Sequence, residues 1–199
     1  MTLISQALFL VATYFVCAIP FGLIVTQIFL KKDVRNSGSG NIGATNVTRI
    51  AGKKLGALTL ILDGAKGVLM VIIGRFIFED SAHLHLFLVA VSITAVLAHI
   101  YPIYLGFKGG KGVATSLAIL LAIDPTIGFI SILTWIIIFS IFRISAISSL
   151  VAIFSSIISS IYYEAPPSQL FLCAALFALI LLRHKENIKR LLDGKENKM

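Results

Sequence analysis

Long apolar runs separated by short polar breaks extend through this chain of 199 residues. The runs are rich in Leu, Ile, Val and Phe, and several approach the roughly 20 residues that an α-helix needs to cross a bilayer. The pattern predicts an all-α, polytopic integral membrane protein with about seven transmembrane helices, within bounds of about five to seven. The predicted helices cover residues 3–30, 54–78, 84–105, 113–123, 127–142, 146–163 and 168–182.

Two local features modify this pattern. The fourth and fifth runs are short and are separated by Asp124-Pro125, so we expect them to be thin, tilted or partly re-entrant. Pro20 is expected to kink the first helix, because proline cannot donate the backbone hydrogen bond of a helix interior. The sequence contains no fixed-period repeat and no low-complexity linker, and residues 1–199 are predicted to form a single membrane-embedded domain.

Composition excludes several classes of protein. Apolar residues make up 58% of the chain and charged residues 13%, whereas a soluble domain carries about 25% charged residues. A water-soluble globule and an intrinsically disordered chain are therefore both poor fits. Cys17 and Cys173 lie in separate apolar runs, so neither a disulfide framework nor a zinc site is indicated. We expect no bound metal and no cofactor.

The net charge of +8, from 17 Lys and Arg against 9 Asp and Glu, is distributed unevenly. Basic residues collect in some breaks between the runs, and the other breaks carry acidic residues without Lys or Arg. These acidic breaks are 79–83, 124–129 and 162–168. By the positive-inside rule, the N-terminus is predicted to lie outside and the C-terminus in the cytoplasm. The same distribution favours membrane topology over nucleic-acid binding as the reason for the positive charge.

Several polar residues fall within the predicted spans. Asp63 and Lys66 lie three residues apart in the second run, where charges are costly unless they are paired. They form either a structural ion pair or the support of a nearby cytoplasmic site.

The serines of the sixth run recur on one helical face, which favours helix packing over a polar pathway. His99 is interpreted as a packing histidine.

The most informative stretch follows the first helix. Residues 37–49, SGSGNIGATNVTR, combine glycines with hydroxyl and amide side chains and end in an arginine. Glycines let backbone N–H groups converge on an anion, and the Arg49 guanidinium can bind phosphate with two hydrogen bonds. We interpret the stretch as a phosphate-binding loop, with a plain tight turn as the alternative. Its G-x-G-x-x-G spacing lacks the preceding strand of a dinucleotide-binding fold.

Two further basic segments lie on the same predicted side. Residues 106–112, GFKGGKG, again combine glycines with lysines and indicate a second anion-binding loop, unless the lysines serve only to set topology. In the tail, His184, Asn187 and Leu191 share one helical face. The tail is either a basic helix on the membrane surface or a helix whose imidazole binds a ligand or handles a proton.

Together, the three segments predict a cytoplasmic site for phosphorylated substrates. A channel or transporter would distribute its polar groups along a path instead. A non-enzymatic carrier or scaffold for phosphate esters is the competing class. The sequence contains no G-x-S-x-G nucleophile elbow.

Four motifs, in chain order, resemble the signature segments of the bacterial acyl-phosphate:glycerol-3-phosphate acyltransferases, the PlsY family. They are SGSGNIGATNVTR, LDGAKG, FKGGKGVATS and RHKENIKRLLDGKE. The resemblance implies an inner-membrane enzyme with a cytoplasmic active site. Such an enzyme transfers a fatty acyl group from acyl phosphate to the 1-hydroxyl of sn-glycerol 3-phosphate, giving lysophosphatidic acid and phosphate in the first step of phospholipid synthesis. An acyl-phosphate-producing enzyme is a candidate partner, alongside membrane lipid.

The resemblance also implies roles for individual residues. The family's catalytic positions match Ser39, Arg49, Lys111, His184 and Asn187. Its substrate- and phosphate-binding positions match Gly40, Asn41, Gly43, Thr45, Asn46, Gly109, Gly110 and Gly112. Where the family often has a serine, three residues after the position of Arg143, this chain has Ala146, and Ser148 and Ser149 are the candidates instead.

The expected mechanism is direct attack by the acceptor hydroxyl on the acyl carbonyl, without an acyl-enzyme, because acyl phosphate already carries a good leaving group. Either His184 or a substrate phosphate oxygen would take the proton. Acyl-CoA or acyl carrier protein is the alternative donor.

Overall fold

The computed structural model describes residues 2–198, and all regular structure within that range is helical. The α-helices are α1 (Leu3–Cys17), α2 (Phe21–Leu30), α3 (Ala44–Ile77), α4 (Leu84–Ile100), α5 (Val113–Ile123), α6 (Pro125–Phe142), α7 (Ser145–Tyr162), α8 (Pro167–Arg183) and α9 (Lys185–Leu192). Two short 3-10 turns are Val34–Asn36 and Ile103–Leu105. Each of the seven predicted segments contains helix, and the all-α prediction is confirmed.

Five helical stretches are long and apolar enough to cross a membrane. They are Leu3–Leu30, Ala44–Ile77, Leu84–Leu105, Pro125–Phe142 and Ser145–Tyr162. Helices α8 and α9 together make a sixth candidate, bent by 60°. Helix α5 has 11 residues and is shorter than a bilayer span. The described helices therefore give five or six candidate spans, and the count of seven and the orientation of the termini stay predictions.

The first candidate span is broken at Pro20, as predicted. Helix α1 ends at Cys17 and α2 begins at Phe21. Proline cannot continue a helical hydrogen-bond ladder, so carbonyl groups near the break need other donors. The carbonyl oxygen of Ile19 lies 2.9 Å from Nζ of Lys66, which donates to it. The break thus provides an acceptor for a buried cation.

Helix α3 begins at Ala44, ten residues before the predicted start at residue 54. The prediction was wrong here because five of the ten residues 44–53 are polar or charged, which interrupts the apolar run expected of a membrane helix. Gly52, at φ 82° and ψ 171°, interrupts the helix. An extended residue with positive φ favours glycine. Residues 44–51 therefore form a separate helical segment ahead of the membrane span.

The chain divides into two compact units, the first ending at Ala118 and the second beginning at Ile119. In the first unit, α3 packs against α1, α2 and α4, and α1 also packs against α4. A small apolar core lies next to the connection between α2 and α3. It consists of Leu23, Val34, Ile42 and Val47. Because two of these residues belong to the connection itself, the core anchors the polar loop to the helices.

In the second unit, α7 packs against both α6 and α8. The buried face of α7 is rich in serine, and the hydroxyl groups of Ser148 and Ser156 donate to main-chain carbonyl oxygens of the same helix. Small residues let membrane helices approach closely. This arrangement agrees with the packing interpretation of the serine stripe.

The predicted orientation can be tested with a membrane-impermeant maleimide. We expect Glu79→Cys to be labelled in intact cells and Lys195→Cys only after permeabilisation, because the basic segments are retained on the cytoplasmic side. Both positions are exposed, and the native Cys17 and Cys173 are buried, so the background should be low. Labelling of both variants in intact cells, or the reverse order, would contradict the orientation.

Candidate active site

One buried side-chain amide organises the first loop. Nδ2 of Asn46 donates to the carbonyl oxygens of Val34 at 3.2 Å, Ser37 at 3.1 Å and Asn41 at 2.8 Å. Its Oδ1 accepts from the backbone N–H of Ser39 at 2.8 Å. The two N–H bonds of the amide are thus shared among three carbonyl groups. The loop wraps around a side chain from the first turn of α3 and is held in a defined shape.

Glycine is required at residue 38 for two reasons. Gly38 has φ 61°, and a Cβ atom there would overlap Oδ1 of Asn46. A few residues later, Oδ1 of Asn41 accepts from the backbone N–H of Gly43 at 2.8 Å and turns the chain into α3. The glycines of the motif therefore fix the loop against Asn46 rather than loosen it.

An exposed ion pair closes the outer edge of this loop. Arg35 donates to the Asp33 carboxylate, with Nη2 and Oδ2 2.6 Å apart, and this hydrogen bond holds the pKa of that carboxyl below its usual range. A carboxyl with a lowered pKa stabilises the fold above its unfolded-state pKa, and this contribution is lost as pH falls through the folded-state pKa. Exposed ion pairs contribute little to the free energy of unfolding, so a fall in pH should destabilise the loop only weakly.

The residues predicted to bind phosphate divide between loop and helix. Ser39 and Gly40 are exposed in the loop, whereas Thr45, Asn46 and Arg49 belong to the first segment of α3. The interpretation of the whole 37–49 stretch as loop is corrected, because the chain becomes helical directly after Gly43. Thr45 and the exposed Arg49 are four residues apart and share one face of that segment.

The second loop is attached to the end of α4 by backbone hydrogen bonds. The N–H of Gly109 donates to the carbonyl of Ile100 at 3.0 Å, and that of Gly110 donates to the carbonyl of His99 at 3.1 Å. Lys111 follows, half-buried, two residues before the start of α5. The N-terminus of a helix attracts anions through its unpaired N–H groups. The loop therefore places the Lys111 ammonium group next to the N-terminus of α5, which is also positively polarised, and both attract anions.

Beneath this loop, Asp63 and Lys66 form the predicted ion pair, with Oδ1 and Nζ 2.8 Å apart. His99, interpreted from sequence as a packing histidine, is buried as expected. Its Nδ1 also lies 3.0 Å from Nζ of Lys66, a partner that the sequence did not indicate.

In the second unit, His184 stands at the bend between α8 and α9 and is only 2% exposed. Its Nδ1 lies 2.8 Å from the carbonyl oxygen of Ile180. Because a carbonyl only accepts, we assign the proton to Nδ1, which makes Nε2 the basic nitrogen of the neutral ring. Asn187 follows three residues later on the same face of the tail and is also buried.

Comparison with known proteins identifies the class of this site. The family described as glycerol-3-phosphate acyltransferase matches residues 7–194. The glycerol-3-phosphate acyltransferase of Myxococcus xanthus is 44% identical over 178 residues, which cover 89% of this chain and 91% of that protein. The one from Pelagibacter ubique is 43% identical over 187 residues, covering 94% of each. The chain belongs to the glycerol-3-phosphate acyltransferase family.

Solved structures agree with this assignment. The acyltransferase is similar to the crystal structure of PlsY (YgiH), an integral membrane glycerol 3-phosphate acyltransferase, in its glycerol 3-phosphate form. The TM-score is 0.91 at 38% identity, over 98% of this chain and 96% of that one. The lysophosphatidic acid form gives a TM-score of 0.88 at 37% identity, over 98% and 95%. The resemblance seen in the motifs is confirmed, and the protein is an integral membrane acyltransferase rather than a carrier or scaffold.

The serines proposed near Arg143 have other partners in the acyltransferase. Ser148 and Ser149 are buried, and their hydroxyl groups donate to the carbonyl oxygens of Ile144 and Ser145. Oγ of Ser149 also accepts from Nε1 of Trp135 at 3.2 Å. This geometry gives both serines a packing role, and a ligand role for them stays a prediction.

Sequence reasoning gave no role to Glu196. Its carboxylate accepts from Nδ2 of Asn187 at 2.6 Å and from Nε of Arg190 at 2.7 Å. The tail after α9 thus folds back onto the face that carries Asn187. The only signal in the sequence was the position of Glu196 at the end of the RHKENIKRLLDGKE motif.

We expect Asn46→Ala to lower the free energy of unfolding by about 2–4 kcal/mol, because several loop groups lose their hydrogen bonds at once. Thermal unfolding of the detergent-solubilised enzyme measures this, and trypsin cleavage after Arg35 should become faster. Asn36→Ala is the matched control, since Asn36 is exposed in the same loop, and it should change stability by less than about 0.5 kcal/mol. Equal stability of the two variants would contradict the role assigned to Asn46.

Proposed function

We propose that this acyltransferase transfers a fatty acyl group from acyl phosphate to the 1-hydroxyl of sn-glycerol 3-phosphate. The products are lysophosphatidic acid and inorganic phosphate. The observation that carries the proposal is the pair of glycine-rich, cation-bearing loops in the first unit, each held in shape by hydrogen bonds. Both substrates carry a phosphate group, and two preformed anion-binding loops suit two phosphates. The glycerol 3-phosphate and lysophosphatidic acid forms of PlsY support the acceptor and the product.

In the first loop, we assign phosphate binding to the backbone of Gly40 and Gly43, the side chains of Ser39, Asn41 and Thr45, and the Arg49 guanidinium. Arginine suits this role because its planar fork matches two phosphate oxygens. Asn46 acts indirectly, since its amide is bonded to the loop backbone.

In the second loop, Lys111 and the glycines 109, 110 and 112 bind the other phosphate group. As the carbonyl carbon is attacked, negative charge grows on the leaving phosphate, and a fixed cation stabilises it most where little water competes. The half-buried position of Lys111 is consistent with this role.

The reaction needs no covalent intermediate with the protein. The acceptor hydroxyl oxygen forms a bond to the acyl carbon, and the bond from that carbon to the phosphate oxygen breaks. The hydroxyl proton moves to Nε2 of His184, because Nδ1 is engaged with the Ile180 carbonyl. Asn187 orients the acceptor. Holding both substrates in a reactive geometry supplies the larger share of the rate enhancement.

We place the enzyme in the bacterial inner membrane with its phosphate-binding loops facing the cytoplasm. The support is the concentration of Lys and Arg in the segments that carry these loops. An acyl-phosphate-producing enzyme would supply the donor, which is a reactive and membrane-associated molecule.

The donor is tested with purified enzyme in lipid, labelled glycerol 3-phosphate, and either acyl phosphate or acyl-CoA. We expect lysophosphatidic acid and stoichiometric phosphate from acyl phosphate alone. Arg49→Ala should abolish most of the activity, whereas Lys53→Ala, an exposed cation outside the assigned site, should not. Product from acyl-CoA alone would keep the acyltransferase but refute the donor.

The proton acceptor is tested with His184→Asn, in which the shorter amide can still donate to the Ile180 carbonyl but cannot act as a base. We expect kcat to fall by about 10²–10⁴-fold with little change in the KM for glycerol 3-phosphate. His85→Asn, at an exposed histidine, should behave like the wild type. A raised KM with kcat largely kept would show that His184 only orients the acceptor and that a substrate phosphate oxygen takes the proton.

A further inference from the structure

A cluster of three ionisable side chains lies buried in the first unit and has no part in the chemistry described so far. Asp63, Lys66 and His99 are 1%, 4% and 4% exposed. They join α3 to the last turn of α4, inside two candidate membrane spans. Charged groups in such a position are costly unless they are fully partnered.

The Lys66 ammonium group has an acceptor for each of its three protons. Its Nζ donates to Oδ1 of Asp63 at 2.8 Å and to the carbonyl of Ile19 at 2.9 Å, and it lies 3.0 Å from Nδ1 of His99, which is also 3.5 Å from Oδ1 of Asp63. Because an ammonium group can only donate, the shorter contact, with Lys66, requires an unprotonated Nδ1. We therefore assign neutral His99 with its proton on Nε2. The contact with Lys66 fixes both the tautomer and the orientation of the ring.

The other edge of the His99 ring lies against the second glycine loop. A Cβ atom at Gly110 would overlap Nε2 of His99, so the loop backbone comes as close to the ring as only glycine permits. The main chain of the same histidine accepts the N–H of Gly110. On the far side of Lys111, Oγ1 of Thr115 donates to the carbonyl of Asp63 at 2.8 Å. The cluster thus holds the chain both before and after Lys111.

We infer that Asp63, Lys66 and His99 are positioning residues that set the location of Gly110 and Lys111 for phosphate binding. The chain of contacts runs from the Lys66 ammonium through the His99 ring to the Gly110 backbone. An ion pair needed only for folding would have no reason to contact the loop that carries a proposed substrate-binding cation. The inference rests on the proposed function, because it assigns phosphate binding to this loop.

The direct test is a double-mutant cycle between His99→Asn and Gly110→Ala. An asparagine can still accept from Lys66, but it is shorter and leaves room for a methyl group at residue 110. We expect Gly110→Ala alone to lower kcat/KM for acyl phosphate by about 100-fold, because small displacements at a reacting site have effects of this size. In the His99→Asn background, the further loss should be less than about 5-fold. If the loss of kcat/KM in the double variant equals the product of the losses in the two single variants, the inference is overturned.

A second measurement separates positioning from folding. We expect His99→Asn alone to raise the KM for acyl phosphate by about 10-fold, with a smaller change in kcat. Inorganic phosphate should raise the unfolding temperature of the wild type, and the variant should need about 10-fold more phosphate for the same shift. Ser92→Ala, at another buried polar residue of α4, should change neither quantity. Wild-type KM and phosphate dependence in His99→Asn would overturn the inference.

The same experiments distinguish failure of this inference from failure of the proposed function. If acyl phosphate gives no product but phosphate stabilisation persists and depends on His99, the donor is wrong and the positioning role stands. If phosphate does not stabilise the wild type, the positioning role of Asp63, Lys66 and His99 is refuted, even if the enzyme is active.

Discussion

In the apolar interior of this protein, a buried polar group finds its hydrogen-bond partners in the chain itself, because hydrocarbon offers none. The Lys66 ammonium group shows how far this constraint reaches. Its three acceptors come from the break before α2, from α3 and from α4. One cation therefore joins three elements through hydrogen bonds. The broken first span is part of the same arrangement, since it supplies the carbonyl of Ile19.

The two glycine-rich loops are ordered in different ways. The first surrounds the amide of Asn46, which acts from within the loop. The second lies on the end of α4 and is bonded through its own backbone to His99 and Ile100. In both cases glycine permits a close approach that a side chain would prevent. Donors fixed in advance stabilise developing charge without reorganising during the reaction, which is the condition for strong electrostatic catalysis.

Much of this architecture could be predicted from the sequence, and the exceptions have physical causes. Apolar runs located the helices because burial in lipid requires continuous apolar stretches. The start of α3 was missed because Thr45, Asn46 and Arg49 give its first turns a polar appearance. The motifs indicated the site loops and the family. They could not show that the Asn46 amide faces the loop backbone, because that depends on how the chain folds around it.

Contacts between distant residues were the least predictable. His99 and Lys66 are 33 residues apart, and only the packing of α3 on α4 brings them together. The Asn187 and Glu196 contact spans nine residues across the end of a helix, where no periodic pattern applies. Such pairs determine which groups of a site are held in place, and residue type and spacing alone do not reveal them.

The break at Gly52 has a consequence for how the enzyme responds to its bilayer. Membrane spans adjust their tilt when the thickness of the surrounding lipid changes. At Gly52 the chain turns, and Thr48, before the break, packs so closely on Gly56, after it, that a Cβ atom at residue 56 would overlap the threonine side chain. Residues on both sides of the break, Ile50 and Leu55, also contact the same apolar core. The segment that holds Thr45 and Arg49 is therefore attached to the span, and a change in the tilt of α3 would be passed on to the first loop.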